Sequence, residues 1–430
     1  MNAGCVKRWI LRVAAGLAIS TLLLFVVFAA LSWAFPFPLE QLERWPASPV
    51  VTDCNGRPLL SLVGSDDQWR YPIPLAQISP WIVQATLAVE DKRFFSHSGV
   101  DLIAVGRAVI QNMTHGRIVS GASTLTMQTC RMLGNRPRTW AAKTVESFQA
   151  LQLEQLTTKG QLLEQYLNIA PYGGNIRGVE AASRFYFGKR CADLSLSEAA
   201  LLAGLPQSPS QLRPDRHKSE AIRRRETVLH RMSTLGMINA RQAELATSEP
   251  VAIRKIPRTS AAPHAARLAL RRRPQGGKTT IDLRIQREVE RVLSEHTSKF
   301  PRGADAAVVV IEIATSNIIA MVGSADFEDP ADGQVNGCLA LRSPGSTLKP
   351  FVYAAAFDAG LLCPDSIVYD MPIHRAGWSP ENFDRQFCGE TTVRDALQRS
   401  LNVPAILVSE AVGLTRCVGL INAAGVALPN

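Results

Sequence analysis

Glu90 stands where an apolar helix pattern stops. Ser79 can cap that helix, Pro80 suits its first position, and Ile82, Val83, Thr86 and Val89 fall on one face. The chain then reads Glu90-Asp91-Lys92-Arg93-Phe94-Phe95-Ser96-His97-Ser98-Gly99. A carboxylate presented beside apolar rings is disfavoured in its charged form, which raises its pKa and makes it a general base. A second acid, Glu146, lies on a later helical stretch with Lys143 three residues before it, a neighbour on the helix surface. If the two helices pack side by side, one carboxylate can take a proton while the other, near a cation, steadies a leaving group or a metal. Any two helix glutamates meet that description. The surrounding pattern has to carry the case.

A different chemistry is written near the other end. Ser343-Pro344-Gly345-Ser346-Thr347-Leu348-Lys349-Pro350 is a Pro-Gly elbow entering a helix, with Ser346 and Lys349 three residues apart and so on one face. An amine in that place eases removal of the hydroxyl proton, the first need of a serine nucleophile. Serine-x-x-lysine is common by chance, but Ser400-Leu401-Asn402 follows it, and the two together resemble the first two motifs of the penicillin-binding acyl-serine enzymes.

The elements that must position these groups fall into two regions. Pro49 to Val63 reads as strand, Asn55-Gly56 turn and strand, a small hairpin. From about 75 to 250 the pattern is helical: 102–112, a long helix from Thr139, 159–168, 179–187 and 197–205. The stretch 113–121, with Gly116 and Gly121, reads as a loop between helices. Residues 250–278 are rich in Pro, Ala and Arg, and a linker is expected there. Beyond it come a helix over 283–297 and two apolar strands, 306–312 and 318–322, about a turn at Thr315-Ser316-Asn317, an α/β pattern.

At 430 residues the chain has room for two or three domains, and 46% hydrophobic with 20% charged residues is a globular composition. Residues 13–35 carry no charge, which exceeds the roughly 20 residues needed to span a bilayer core. Lys7, Arg8 and Arg12 precede them, so residues 1–12 are expected in the cytoplasm and the rest outside. The apolar run is too long for a cleaved signal peptide. The net charge of +10 gathers around residues 213–278 and suits an anionic substrate or lipid headgroups. With no nucleic-acid motif, no zinc spacing and no aromatic-interleaved basic strand, nucleic acid is set aside. Eight cysteines are scattered; an outside location permits disulfides, and Cys363 could pair with Cys388.

The ordered series is the strongest signal. Glu90-Asp91-x-x-Phe94-x-x-His97-x-Gly99 is followed by Gly121-x-Ser123-Thr124-x-x-x-Gln128, by Lys143-x-x-Glu146, and by Lys159-x-x-x-Leu163-Glu164-x-Tyr166-Leu167-Asn168. Phe187-Gly188-Lys189 and Leu194 to Ala203 complete it. Over about residues 75–235 this resembles the peptidoglycan glycosyltransferase domain of bifunctional, class A penicillin-binding proteins. The resemblance implies an α+β multidomain chain: an N-terminal transmembrane helix, a lysozyme-like, mainly α glycosyltransferase domain, and a serine β-lactamase-like α/β transpeptidase domain. The expected boundaries are 36–74 for the juxtamembrane hairpin segment, 75–249 for the glycosyltransferase, 250–278 for the linker and 279–430 for the transpeptidase part.

The family's reaction joins lipid-linked disaccharide-pentapeptide (lipid II) to a growing glycan strand and releases polyprenyl pyrophosphate. Carried over, Glu90 is the general base, and Glu146 sits near the donor pyrophosphate with Lys143 and a divalent metal, Mg or Mn, for which Glu146 is the expected ligand. Ser123, Thr124 and Gln128 bond the sugar-phosphate, with Lys159, Asn168 and Arg177 as further polar lining. Asp91, Phe94, His97 and Gly99 belong to the same site, His97 expected to shape the loop rather than to carry a proton. No organic cofactor is implied. Ser346 and Lys349 are the acylating pair, Ser400 and Asn402 their partners, and a β-lactam is the ligand of a complete domain. No Lys-Thr/Ser-Gly triplet follows, so the transpeptidase part is expected to be incomplete. Two departures from the family pattern are Met127 in place of the first Gln of a Gln-Gln pair, and Ala142 in place of Arg before Lys143. The resemblance also implies a bacterial cytoplasmic-membrane protein facing the periplasm, with partners in the envelope. The rival readings are a lytic transglycosylase, which uses one acid and needs no pyrophosphate cradle, and a non-catalytic scaffold or β-lactam sensor.

Overall fold

The computed structural model describes residues 20, 23, 26–43, 45–115, 122–134, 139–253, 260–301, 303–375 and 377–426. The tail 1–12, most of the expected anchor 13–35, and Gly121 lie outside them. Among the described residues no single helix is long and apolar enough to cross a membrane. The chain divides into two compact units, Met1–Cys338 and Leu339–Asn430.

The first unit opens with the expected hairpin, β1 (Val50–Thr52) and β2 (Pro58–Ser61), antiparallel about Asn55-Gly56. Asp53 holds the turn by accepting from the backbone N–H of Asn55 and of Arg57 and from Arg57 Nε. A helical body follows: α1 (Pro80–Glu90), α2 (Leu102–His115), α3 (Leu125–Gly134), α4 (Trp140–Leu156) and α5 (Lys159–Ile169). A two-stranded ribbon, β3 (Pro171–Gly173) and β4 (Ile176–Arg177), leads to α6 (Val179–Phe187), α7 (Leu196–Gly204), α8 (Lys218–Thr234) and α9 (Ala240–Ser248). Caps start these helices where the sequence offers them: Ser79 Oγ accepts from Trp81 N–H, Thr139 Oγ1 from Ala142 N–H, and Thr158 and Ser195 form capping boxes. Helix α7 is buried on almost every side because α1 and α8 both pack on it. Ile82, Leu125, Leu163, Val179, Leu201 and Val228 belong to the one apolar core these helices share. Helix α2 runs three residues past the expected Asn112.

Residues 260–278, expected as linker, hold α10 (Pro263–Arg272) and β5 (Gly276–Lys278). Strand β5 adds to β1 in parallel, giving the sheet order β2-β1-β5. Gly276 makes the pairing feasible: its φ is +81°, and a Cβ there would lie 2.3 Å from the Val50 carbonyl oxygen. With α11 (Leu283–Thr297) and the antiparallel pair β6 (Val308–Ile311) and β7 (Ile318–Val322), these elements close a second core of Val51, Leu59, Ala265, Ile281 and Met321. Residues 254–259 lie outside the described set.

The second unit contains α12 (Lys349–Asp358), the antiparallel pair β8 (Ile367–Asp370) and β9 (Gly389–Thr392), and α13 (Val393–Gln398), α14 (Asn402–Val412) and α15 (Leu414–Ala423). Tyr353, Val368, Val393, Ala405 and Val408 form its core. Cys363 and Cys388 are both free and exposed, so the pairing allowed by the sequence is absent here; all the described cysteines are free. Cys388 Sγ instead lies against Asp370 Oδ2, and Cys363 Sγ against Ser366 Oγ.

Candidate active sites

Glu90 is the last residue of α1 and opens into a cavity of about 640 Å³. One wall is the segment 88–93, another comes from Asp101, Ala104 and Arg107, and a third from Ala122, Ser123, Thr124 and Gln128 at the start of α3. The fourth is α8, through Arg224, His230, Arg231 and Thr234. Gln128 Nε2 donates to Glu90 Oε2 at 2.8 Å, which leaves the other carboxylate oxygen for a ligand. On the protein side stand Tyr166 and Tyr172, both buried; burial, and behind it the Glu90 charge, pushes their pKa values upward. On the cavity side burial lowers the Arg224 pKa while the Glu90 charge opposes it. The acid therefore stands at a boundary between two core tyrosines and a cationic wall.

Asp91, next in the chain, also borders the cavity but is held by protein groups. It accepts from Leu125 N–H at the start of α3 and from His97 Nε2, tying two motifs together. Thr124 caps α3 by accepting from Met127 N–H and donates to the Gly99 carbonyl. Gly99 lies so close to α4 that a Cβ would be 2.6 Å from the Ala150 carbonyl oxygen. Lys159 Nζ donates to the His97 carbonyl at 2.6 Å and to Glu154 Oε1 at 2.7 Å, and it sits 4.3 Å from the centre of the buried Phe94 ring. His97, Phe94 and Lys159 thus brace the loop that presents Glu90, and none of them lines the cavity.

The polar groups expected around the substrate are only partly gathered. Asp91, Ser123, Thr124 and Gln128 line the cavity with Glu90. Asn168 does not: its side chain bridges the backbone N–H and carbonyl of Ile73. Arg177 is half-buried beside the charge of Arg70, also away from the cavity. Glu146 is 4% exposed on α4, and Lys143 is half-buried one turn earlier; neither is among the lining residues. Both departures from the family pattern are buried as well. Met127 is 2% exposed, its sulfur 3.9 Å from Ser147 Oγ, and Ala142 is buried, so they alter packing and leave the cavity wall unchanged.

For a metal at Glu146 the donor set is poor. Among the described residues no three His, Cys, Asp or Glu side chains come together as a metal-holding group, and one buried carboxylate is short of the six or so oxygens such an ion requires.

Lys92, Arg93, Arg107, Arg224, His230 and Arg231 are the basic lining residues that pattern reading missed as site groups. Arg224 and Arg231 are seven apart on α8, two turns along one face, whereas Arg225 between them is buried on Ser197 Oγ and the carbonyls of Thr247 and Glu249. Arg231 also donates to the Val89 carbonyl next to Glu90. The helical period could have sorted this run into a structural and a cavity-facing arginine. Arg224 has room because α7 carries Gly204, where a Cβ would lie 2.7 Å from Arg224 Cγ.

In the second unit Ser346 is exposed on the turn Gly345–Leu348 that enters α12. Lys349 is buried, and its Nζ donates to the Ser400 carbonyl, to Ser400 Oγ at 3.1 Å and to Asn402 Oδ1 at 2.6 Å. Ser400 meets the amine twice because its backbone is left-handed, with φ of +56°. Burial lowers the Lys349 pKa. A cavity of about 590 Å³ opens here, lined by Leu348, Lys349, Trp378, Glu381, Asn402 and Ser409. Ser346 is not part of its lining; Lys349 N–H donates to the Ser346 carbonyl, and among the described residues no side-chain hydrogen bond joins the two.

Comparison with known proteins bears on both units. Residues 55–233 match the transglycosylase family, and residues 306–427 match the penicillin-binding protein transpeptidase domain. Over 416 residues, 96% of the chain, it is 38% identical to penicillin-binding protein 1C of Escherichia coli K12. The chain belongs to the class A penicillin-binding proteins. The wording Ala170-Pro171-Tyr172-Gly173-Gly174 and Leu205 to Pro214 resembles that same relative within the family. Penicillin-binding protein 1F of Bacillus subtilis 168 is 32% identical over 368 residues, 81% of the chain. The chain spans about half the length of these two relatives, 53% and 51%. A crystal structure of penicillin-binding protein 1A from Haemophilus influenzae aligns over 89% of this chain and 64% of its own, with a TM-score of 0.42 and 19% identity.

Proposed function

We propose that the first unit polymerises lipid-linked disaccharide-pentapeptide into glycan strands, with Glu90 as the base. One observation carries this reading: Glu90 opens into a cavity whose remaining charged wall is mostly cationic. Gln128 holds one carboxylate oxygen, so the other is directed at the acceptor's sugar hydroxyl. That hydroxyl oxygen bonds the donor's anomeric carbon as its proton passes to Glu90, and the bond from that carbon to the pyrophosphate oxygen breaks. Charge then grows on the departing pyrophosphate, and Lys92, Arg93, Arg107, Arg224 and Arg231 are the groups available to offset it. Ser123 and Thr124 supply hydroxyls at the same wall. Glu146 and Lys143, which stand on α4 outside that wall, are proposed as a donor-side pair. The anchor at 13–35 would hold the enzyme on the periplasmic face of the cytoplasmic membrane, beside its lipid-borne substrate and within reach of envelope partners.

The second unit is proposed as part of an acyl-transfer site, with Ser346 as nucleophile and Lys349, its pKa lowered by burial, as the proton acceptor. Penicillin is the corresponding ligand of the whole domain.

Two substrates separate this reading from its rivals. The purified protein is given radiolabelled lipid II in one reaction and finished cell wall in another. Polymer from the first and no soluble sugar from the second is expected. Soluble sugar without polymer would mean a lytic enzyme, and neither product a scaffold.

A further inference from the structure

The buried polar chain behind Asn402 in the second unit is not used by the chemistry assigned above. Asn402 opens α14, where a backbone N–H has no partner within the helix, and Leu401 before it offers no capping side chain. Asn382 supplies the cap from a distant loop: its Oδ1 accepts from Asn402 N–H at 2.7 Å. The amide nitrogen of Asn382 donates to both oxygens of Asp370, at 2.8 and 3.0 Å, and to the Gln386 carbonyl at 2.8 Å. Asp370, the last residue of β8, is 0% exposed and Asn382 5%. Asp370 also accepts from Cys388 N–H at 3.0 Å. The carbonyl of Glu381, next to Asn382, takes Asn402 Nδ2 at 2.7 Å, so one loop grips Asn402 by its backbone and its side chain.

Chemistry explains why an acid stands at 370. A side-chain amide has one donating and one accepting end and can be turned over. A carboxylate accepts at both oxygens, so it draws the donating end of Asn382 toward itself and leaves the accepting end for Asn402 N–H. An amide at 370 would tolerate either orientation. Groups buried this deeply must be fully bonded or they destabilise the fold, which makes the arrangement all-or-none. At its far end the chain fixes the oxygen that holds Lys349 Nζ.

We propose that Asp370, acting through Asn382, is a positioning residue for Lys349: it sets the place of Asn402 and keeps the amine in its water-poor seat. The proposal rests on reading Ser346 and Lys349 as the acyl-transfer pair.

The test uses the full chain and acetic anhydride as an amine probe. Lys349 labelling is followed across pH by peptide mass spectrometry in wild type, Asp370→Asn and Asn382→Ala, with folding checked by circular dichroism. In both folded variants the high-pH plateau rate at Lys349 rises about tenfold, the scale of one lost hydrogen bond to a charged group. The titration midpoint moves up toward the ordinary lysine value of about 10.4 as water reaches the amine. An unchanged profile, or a midpoint that falls, overturns the proposal even if stability drops. Should the variants fail to fold, wild type decides: amide exchange at Asn402 must be slowed, and exchange at the rate of an unpaired amide overturns the capping link. Fluorescent penicillin labelling of Ser346 runs in parallel. Label lost on Ser346→Ala supports the acyl-transfer reading, and a covalent adduct found on a residue other than Ser346 would sink that reading alone, since the Lys349 profile does not depend on it.

Discussion

At the scale of single residues, Glu90 is set apart by what touches it. Gln128 binds one oxygen, two buried tyrosines stand behind it, and Arg224 faces it across the cavity. Replacing Gln128 by Ala frees the carboxylate to turn, and polymerisation is expected to fall about tenfold in kcat with KM little changed, the loss expected when a catalytic group is misoriented. Arg224 can be tested without altering it. Gly204→Ala places a Cβ 2.7 Å from Arg224 Cγ in a helix that accepts alanine readily, so the arginine must move and KM for lipid II is expected to rise. An unchanged KM would remove Arg224 from the substrate wall. Glu146 and Lys143 share a helix face as their spacing requires, with Glu146 buried and Lys143 half-buried, both outside the cavity lining. Glu146→Gln keeps the shape and removes the charge. A fall in kcat with folding intact supports the donor-side role, whereas a lowered melting temperature with normal kcat marks it as structural.

Among the elements, the helices were legible because each carries its own period and cap. Ser79-Pro80 starts α1 as the sequence indicates, and Thr139, Thr158 and Ser195 cap helices that begin within a residue or two of their expected starts. What could not be read was pairing over long separations. Nothing local shows that Gly276 to Lys278 lie beside Val50 to Thr52, because the signal is a missing side chain at Gly276. The cavity-facing arginines are hidden for a related reason: bulk charge carries no helical phase, and the phase of α8 is what separates Arg224 and Arg231 from Arg225. Two predictions belong at this scale. Gly99→Ala must force a Cβ into the α4 backbone at a φ of +91°, and a loss of roughly 2–4 kcal/mol is expected in denaturant unfolding. The second concerns α10. His264 is buried there with Nε2 on Ser324 Oγ, facing Phe327, Arg267 and the more distant Asp305. Burial lowers its pKa, so on acidification the unfolded chain binds this proton first. Stability is then whole above the ordinary histidine value of about 6.5 and declines as pH falls below it. His264→Gln should flatten that part of the stability-pH curve, and an unchanged slope would contradict the assignment.

The whole chain carries two sets of motifs, one in each unit, and each is legible as an ordered series. The resemblance told more than the spacing did, since it took a pattern of several motifs to raise Glu90 above an ordinary helix end. Net charge adds a property no single residue has. A chain at +10 with a cationic cavity attracts anions, the pyrophosphate of the proposed lipid-linked donor among them, and salt screens that attraction. KM for lipid II is expected to rise between about 0.05 and 0.5 M salt while kcat holds steady. A KM indifferent to salt would argue that the cationic wall does not meet the pyrophosphate. The most direct test remains the acid at position 90. Glu90→Gln preserves size and the contact with Gln128 but cannot take a proton, so the purified variant should bind lipid II as wild type does and polymerise it at least about a hundredfold more slowly. Polymer formed at the wild-type rate by the correctly folded variant would contradict the account.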